Sequence, residues 1–195
     1  MKVSCIDRIG KSNNFCPQSL FLYGTYRNDG TPNFGLFCWF SYYWDKELGI
    51  MACIGETKLT KDLIRKNGVF SANLVTEPLL PLADYYGTHA GYDPDKMKVL
   101  PEVTRGQVLN VPILADSPWS YELKVKKELN FDDGDIFLCE ISNILTEEYF
   151  LDESIPLADR MKKAAPVVTT HQTYFSLNHT PLGGWGEMQG QIKLS

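Results

Sequence analysis

Residues 19–27 read SLFLYGTYR, residues 28–30 read Asn-Asp-Gly, and a second apolar stretch occupies residues 33–43. An Asp-Gly pair between two such stretches is a strong hairpin signal, because glycine tolerates the positive φ that tight turns need. We therefore expect a β-hairpin at this point. The later strands are expected to pair with it in one sheet.

Downstream of the hairpin the sequence predicts mostly short strands separated by turns. Strands are predicted at 47–54 and 69–75, short helices at 57–66 and 78–86, an ordered loop at 87–118, and two long strands at 121–131 and 136–145. The first helix is expected to end at Gly68, and Asp132-Asp133-Gly134-Asp135 is expected to form a turn. Many strands and few helices predict a mainly β fold, a small antiparallel barrel. We expect one domain over residues 1–195, with an irregular tail from about residue 150.

Composition narrows the possible partners. The chain has 195 residues and a formal net charge of −5, and 44% of its residues are hydrophobic and 12% aromatic. These values are typical of a globular domain. The acidic balance argues against nucleic acid or an anionic membrane as a partner, since both select basic surfaces. No apolar run resembles a signal peptide or a membrane span, which predicts a cytoplasmic protein.

The sequence lacks the motifs of several common kinds of site. The five cysteines, Cys5, Cys16, Cys38, Cys53 and Cys139, are irregularly spaced and form no CxxC, so neither a disulfide framework nor a zinc site is indicated. His171 and His179 have no metal-ligand partners at useful spacing. No GxGxxG follows a predicted strand, and neither GxxxxGK[ST] nor GxSxG occurs. We expect reduced thiols and no metal.

The first segment whose residues suggest a binding or catalytic role is Gly55-Glu56-Thr57-Lys58-Leu59-Thr60-Lys61-Asp62. It places hydroxyls and ammonium groups at a strand-to-helix junction, where free backbone N–H groups and the helix dipole favour an anion. Thr60 is expected to cap the helix, Lys58 to add charge, and Thr57 or Thr60 to add a hydroxyl contact. This chemistry suits a terminal phosphate. The alternative is an ordinary capped helix with solvated lysines.

The second segment is Asn33-Phe34-Gly35-Leu36-Phe37-Cys38-Trp39-Phe40-Ser41. Gly35 allows a backbone or a flat ligand to approach the strand closely. Trp39 and Phe40 could border a flat ring, and Ser41 could offer a hydrogen bond to its polar edge. The alternative is a buried aromatic strand.

The third segment, residues 83–96, frames His89 between Gly87 and Gly91. His89 is a candidate for orienting a nicotinamide or another electron acceptor. The alternative is an exposed loop histidine without a role.

The order of these segments is more specific than any one of them. Along the chain, residues 33–41 are followed by residues 57–60, then by Gly68-Val-Phe-Ser-Ala-Asn-Leu74, and then by residues 84–91 with Asp95-Lys96. Asp135-Ile-Phe-Leu-Cys-Glu-Ile141 and Tyr174-Phe-Ser-Leu177 come last. Over residues 15–180 this order resembles the flavin reductase-like, FMN-binding split-barrel family, and within it the flavoredoxin-like branch.

The resemblance implies a Greek-key split barrel that binds FMN non-covalently at the interface of a homodimer. It implies flavin-ring contacts from Cys38, Trp39, Phe40 and Ser41, phosphate contacts from Lys58 and Thr60, and Asn73 near the same site; Asn33 and Thr57 complete the expected set.

The sequence leaves three functions open. The first is an NAD(P)H-dependent flavin reductase, with the nicotinamide as a transient co-substrate that passes hydride to flavin N5. The second is a flavoredoxin-like electron carrier served by a redox protein partner. The third is a flavin-free binding or structural protein on the same barrel.

Overall fold

The protein is described here by a computed structural model covering Ser4, residues 15–177 and residues 180–182. Its strands are β1 (Gln18–Ser19), β2 (Phe21–Tyr26), β3 (Pro32–Phe37), β4 (Phe40–Asp45), β5 (Glu47–Gly55), β6 (Val69–Leu74), β7 (Val103–Arg105), β8 (Pro112–Leu114), β9 (Trp119–Phe131), β10 (Gly134–Thr146), β11 (Val167–Thr170) and β12 (Thr173–Ser176). Its helices are α1 (Leu59–Asn67), α2 (Leu80–Thr88) and α3 (Leu157–Ala164), with 3₁₀ turns at Lys96–Lys98 and Glu148–Phe150.

Seven strands form one antiparallel sheet in the order β3-β2-β6-β9-β10-β5-β4. The two edge strands, β3 and β4, are consecutive in the chain and are joined only by Cys38 and Trp39. A link of this length spans at most about 10 Å, so the sheet must curl until its two edges meet. The edges are not hydrogen-bonded to each other. The architecture is therefore a split barrel, and the predicted mainly β fold class is confirmed.

The barrel has one core inside and a second core on its outer face. Phe21 and Tyr23 point inward with Phe70, whereas Leu20 and Leu22 point outward. The outer cluster contains Ala83 and Tyr86 of α2, which covers β3. Strand β2 is thus buried on both faces, which explains its nearly continuous apolar sequence. The packing of α2 on β3 positions the segment after α2 beside the start of α1.

Helix α1 ends where the sequence predicted. Gly68 adopts the left-handed conformation with φ of 69°, and its N–H bonds to the Ile64 carbonyl at 2.8 Å. Glycine is favoured here because a Cβ would strain the backbone at positive φ. The helix buries Leu63 and Ile64 against the barrel.

Three predicted segments differ from the structure. The strand expected at 33–43 is two strands, because the chain changes edges at Cys38 and Trp39. The loop expected at 87–118 contains β7, β8 and a 3₁₀ turn. The irregular tail expected after about residue 150 contains α3, β11 and β12, and β11 pairs with β1 near the N-terminus. A partner about 150 residues away leaves no local signal.

Within the described ranges the cysteines Cys16, Cys38, Cys53 and Cys139 are free thiols. The helices found there reach nine residues at most and are too short to cross a membrane. Cys5, His179 and the end of the expected tail lie outside the described residues.

Candidate functional site

A cavity of about 290 Å³ opens at the start of α1. Its walls come from β3, the junction before α1, and the segment from the end of α2 to the 3₁₀ turn. They are Gly35, Leu36, Phe37, Thr57, Lys58, Leu59, Thr60, Tyr86, Gly87, Thr88, His89, Ala90, Gly91, Tyr92 and Lys96. The described lining contains two lysines and no carboxylate, so the cavity is suited to an anion. We call it the cationic cavity.

The helix N-terminus in this cavity has no side-chain cap. Lys58 is the N-cap residue in an extended conformation, and it makes no side-chain capping hydrogen bond. The free N–H groups of that turn and the positive end of the helix dipole therefore face the cavity without a competing oxygen. A phosphate would satisfy them.

Thr60 does not cap the helix, contrary to expectation. It lies inside the first turn, is buried, and its Oγ1 accepts a hydrogen bond from Asn33 Nδ2 at 3.0 Å. Asn33 is itself buried, and its Oδ1 has no hydrogen-bond partner within the described residues. The Thr60 hydroxyl thus holds α1 on β3 as an acceptor, and Thr60 lines the cavity together with Thr57 and Lys58.

Lys58 is paired with Glu56, with Nζ 3.0 Å from Oε2. Both side chains are largely exposed, at 48% and 78%. Glu56 has a positive φ of 57°, and its N–H bonds to the Asp133 carbonyl at 2.7 Å, which fixes the junction before α1 to the β9–β10 turn. The Glu56 carboxylate therefore stands where it competes with any anion for Lys58.

A buried ion-pair network fixes α1 from the other side. Asp135, at the start of β10, accepts bonds from Lys61 Nζ at 2.7 Å and Arg65 Nη2 at 2.8 Å. Burial raises the pKa of Asp135, but the bonds from Lys61 and Asn130 and the charge of Arg65 outweigh it and hold the pKa below its ordinary value. The helix start is thereby set rigidly against the sheet.

Sequence reasoning missed Lys96. Its side chain is only 3% exposed, lines the cationic cavity, and donates from Nζ to the Tyr86 carbonyl at 2.8 Å. Arg27 reaches the same region and donates to the Gly91 carbonyl at 3.1 Å. The sequence pair Asp95-Lys96 carries no local signal of burial, so only the folded loop reveals this residue.

A second cavity of about 270 Å³ adjoins the first. It is lined by Leu36, Phe37, Cys38, Trp39, Cys53, Gly55, Glu56 and Lys58, and it shares Leu36, Phe37 and Lys58 with the cationic cavity. We call it the aromatic cavity. Trp39 is 43% exposed at this surface, and Cys53 donates its backbone N–H to the Trp39 carbonyl at 2.9 Å. The two cavities adjoin at these shared residues; we call them together the groove, which has a charged end and an apolar end.

The thiols in the aromatic cavity are half-buried. Burial raises the pKa of Cys38, and burial together with the nearby Asp135 charge raises that of Cys53. Both therefore remain protonated near neutral pH and act as apolar walls.

Three of the residues expected to contact the ring or the phosphate lie outside both cavities. Phe40 points into the barrel, where its ring stacks on Phe21 with centroids 4.1 Å apart. Ser41 is exposed on β4 and donates to the Tyr42 carbonyl at 3.4 Å. Asn73 is buried and saturated: its Nδ2 bonds to the Leu22 carbonyl, and its Oδ1 accepts from Leu114 and Ser120. Successive side chains of an extended chain point to opposite faces of the sheet. Trp39 therefore faces the aromatic cavity while its neighbour Phe40 faces the barrel interior.

His89 does line the cationic cavity, at the C-terminal end of α2. Its ring lies on Tyr85 with centroids 4.0 Å apart, and its Nδ1 is 2.8 Å from the Tyr85 carbonyl oxygen. The histidine is therefore held in one orientation at the cavity wall rather than extending freely from a loop.

The comparisons with known proteins agree with this geometry. The profile described as "Flavin reductase like domain" matches residues 13–175. The flavoredoxin of Methanosarcina acetivorans superposes with a TM-score of 0.82 at 21% identity, covering 98% of each chain. The flavoredoxin of Desulfovibrio vulgaris (Miyazaki F) gives 0.81 at 23% identity, covering 96% of this chain and 99% of that one. At these identities the likeness shows the fold.

One curated relative is an uncharacterized protein of Aeropyrum pernix. It is 28% identical over 103 residues, which is 52% of this chain. The match spans 39% of the relative's length.

Proposed function

The chain belongs to the flavin reductase-like domain family, and we propose that it binds FMN without covalent attachment and acts as an NAD(P)H-dependent flavin reductase. The shared lining of the two cavities, at Leu36, Phe37 and Lys58, supports this most directly. The cationic cavity offers lysines and free helix N–H groups, and the aromatic cavity offers Trp39 and apolar walls. FMN joins a phosphate to a flat ring system, so its two ends match the two ends of the groove.

The chain's own residues divide the task of binding. Lys58, Thr57 and the first-turn N–H groups of α1 would hold the phosphate. Trp39, Cys38 and Cys53 would border the ring, where stacking and burial favour a flat aromatic. When bound, FMN supplies the hydride and electron chemistry; the protein binds it, orients it and excludes water.

His89 is proposed to orient the nicotinamide beside this groove. Its contacts with Tyr85 hold the imidazole at the wall of the cationic cavity, so a second ligand would meet a preset hydrogen-bonding group. The strand pairs of the described chain are all antiparallel, and no dinucleotide-binding βαβ unit is found among them. NAD(P)H would therefore bind transiently over the ring.

The absence of a dinucleotide-binding unit from the described strands also favours one second candidate. A protein without a dedicated nicotinamide site can instead receive electrons from a redox protein, as an FMN electron carrier of the flavoredoxin type. Both functions would use the same groove residues. Steady-state oxidation of NADH and NADPH with FMN as acceptor separates them, because a carrier alone would give no turnover.

The assembly we propose is a homodimer that covers β4. This edge strand, the link before it and the adjacent strand β5 expose large side chains, namely Trp39, Tyr42, Trp44 and Leu48. Trp44 is 75% exposed, and Trp39 belongs to the aromatic cavity. A second copy placed over β4 would bury these groups, close the unpaired edge and shield the flavin ring.

The visible absorption spectrum of the purified protein tests the cofactor. We expect bound FMN, retained through gel filtration and reduced by NADH or NADPH under anaerobic conditions. Riboflavin, which lacks the phosphate, is the control and should bind more weakly. Protein that binds neither flavin would refute the proposal.

A further inference from the structure

The two walls of the cationic cavity touch each other at one point. One wall is the start of α1, and the other is the segment that follows α2. A Cβ at Gly91 would lie 2.7 Å from the Leu59 Cβ, so the backbone of this segment rests directly on the first residue of the helix. Glycine is needed for this close approach, because the Leu59 Cβ is fixed to its own backbone and cannot rotate away.

A hydrogen bond between side chains joins the same two walls further along α1. The Tyr92 hydroxyl donates to Oδ2 of Asp62, which lies three residues after Leu59 on the helix. This bond raises the pKa of Tyr92, so the hydroxyl stays protonated at neutral pH and continues to donate. Arg27 also holds the segment, since its Nη2 donates to the Gly91 carbonyl oxygen at 3.1 Å.

The residues at which the walls are joined do not border the aromatic cavity. The two cavities share Leu36, Phe37 and Lys58, whereas Leu59, Gly91 and Tyr92 line the cationic cavity alone. The cationic cavity therefore adjoins the aromatic cavity on one side, and its walls close on each other at residues that the aromatic cavity does not reach.

We propose that the Tyr92–Asp62 contact makes the groove selective for FMN over FAD. This inference rests on the proposed function and deepens it. In FAD the phosphate that FMN also has carries a second phosphate and an adenosine. With the first phosphate at the uncapped start of α1, these added groups extend toward the place where Tyr92 and Asp62 join the walls, and they fit only if that contact opens.

The charge of Asp62 acts in the same direction as the closed contact. Arg65 Nη1 lies 3.8 Å from Asp62 Oδ1, but the same guanidinium also binds Glu128 at 2.6 Å and Asp135 at 2.8 Å. The arginine is therefore shared among three carboxylates and does not cancel the charge of Asp62. The second phosphate of FAD would approach a group of its own sign and be repelled.

Dissociation constants for FMN and FAD, measured by quenching of protein fluorescence, test the selection without any variant. The wild-type protein should bind FAD about tenfold or more weakly than FMN, because admitting FAD breaks a hydrogen bond to a charged group. Wild-type protein that binds FAD as tightly as FMN would overturn the inference and leave FMN binding in place. Protein that binds neither flavin would instead remove the proposed function, and this inference with it.

Tyr92→Ala tests the contact itself. It removes the ring and its hydrogen bond, so it should strengthen FAD binding and bring the two constants closer together while FMN binding changes little. Leu100→Ala is the matched control: it shortens a side chain of similar exposure in the same stretch of chain that lines neither cavity, and it should keep the wild-type ratio. Folded Tyr92→Ala protein with the wild-type ratio would overturn the inference.

Asp62→Asn separates the charge from the shape of the contact. The amide oxygen still accepts from the Tyr92 hydroxyl, but the negative charge is gone. The variant should strengthen FAD binding by a smaller factor than Tyr92→Ala, and added salt should reduce its difference from the wild-type protein. An FAD affinity that is unchanged in Asp62→Asn at low salt would contradict the part assigned to the charge.

Discussion

Thr60 Oγ1 accepts a hydrogen bond of 3.0 Å from Asn33 Nδ2, so the first turn of α1 is bonded directly to β3. Both residues are buried. A Cβ at Gly35 would lie 2.8 Å from the same hydroxyl oxygen, so the glycine is needed for this close approach. The uncapped helix start that faces the cationic cavity is positioned by this contact.

Replacing Thr60 by Val should therefore destabilise the protein rather than only weaken ligand binding. The change keeps the side-chain shape but leaves the Asn33 amide without its best partner, at a cost of about 1–3 kcal/mol. Urea denaturation of the flavin-free protein measures it. Thr57→Val, at an exposed position on the same junction, should change stability by less than about 0.5 kcal/mol. Equal stabilities for the two variants would contradict the assignment.

The Lys58–Glu56 pair predicts opposite effects of two substitutions on FMN affinity. Lys58→Ala removes a charged phosphate contact and should weaken FMN binding roughly ten- to a hundredfold. Glu56→Gln removes the carboxylate that competes for Lys58 at 3.0 Å and should strengthen binding. Fluorescence titration at low salt measures the FMN dissociation constants of both variants. Neither substitution should change the affinity for riboflavin, which has no phosphate. An unchanged FMN affinity in Lys58→Ala would place the phosphate elsewhere.

Glu122 predicts a loss of stability in acid. Its buried carboxylate accepts the backbone N–H groups of Gln107, Val108 and Leu109 at 2.9, 3.0 and 2.5 Å, and the Asn143 amide at 2.9 Å. Burial raises its pKa, but these four donors outweigh burial and hold the pKa below the ordinary value of 4.5. The folded protein therefore binds fewer protons here than the unfolded chain, and the stabilisation is complete above about pH 4.5.

As the pH falls through the depressed pKa, this contribution should disappear. Glu122→Gln should destabilise the protein by about 1–3 kcal/mol at pH 7, because one amide oxygen cannot replace two carboxylate oxygens. Denaturation midpoints measured between pH 3 and pH 7 should show a shallower acid dependence for the variant. If the denaturation midpoint changed with pH by the same slope in both proteins, Glu122 would not contribute to the acid dependence.

Trp44→Asp should dissociate the proposed homodimer without unfolding the barrel, because Trp44 is 75% exposed on the edge strand β4. Light scattering and circular dichroism report the two properties separately. Leu151→Asp, at a position that is 71% exposed and does not belong to β4, is the control and should stay dimeric. Wild-type protein that is monomeric and still binds FMN tightly would contradict the shared-site dimer.

Local signals predicted much of the fold. The Asp-Gly turn, the stop at Gly68 and the long β9–β10 hairpin depend on neighbouring residues, and they lie where the sequence indicated. The pairing of β11 with β1 was missed because the two strands lie about 150 residues apart in the sequence.

The candidate site was only partly predictable. Lys58 and Thr57 follow from a strand-to-helix junction that is visible in the sequence. The structure places Asn73 and Phe40 outside both cavities. The sequence does not show which face of a curled sheet a side chain occupies. Lys96 became a candidate only when folding placed its loop beside α1.

The two-residue link between β3 and β4 also constrains how the chain can fold as it is synthesised. The strands on either side of it belong to opposite edges of the sheet, and β9 and β10 insert between β6 and β5. A nascent chain that has emerged only as far as β6 holds two separate ribbons whose inner strands lack their partners. The pairing of β6 with β9 and of β5 with β10 joins segments that are far apart in the sequence, and such pairing forms slowly. The barrel can close only after residue 146 has left the ribosome, and until then the open sides of β5 and β6 are the surfaces a chaperone would have to cover.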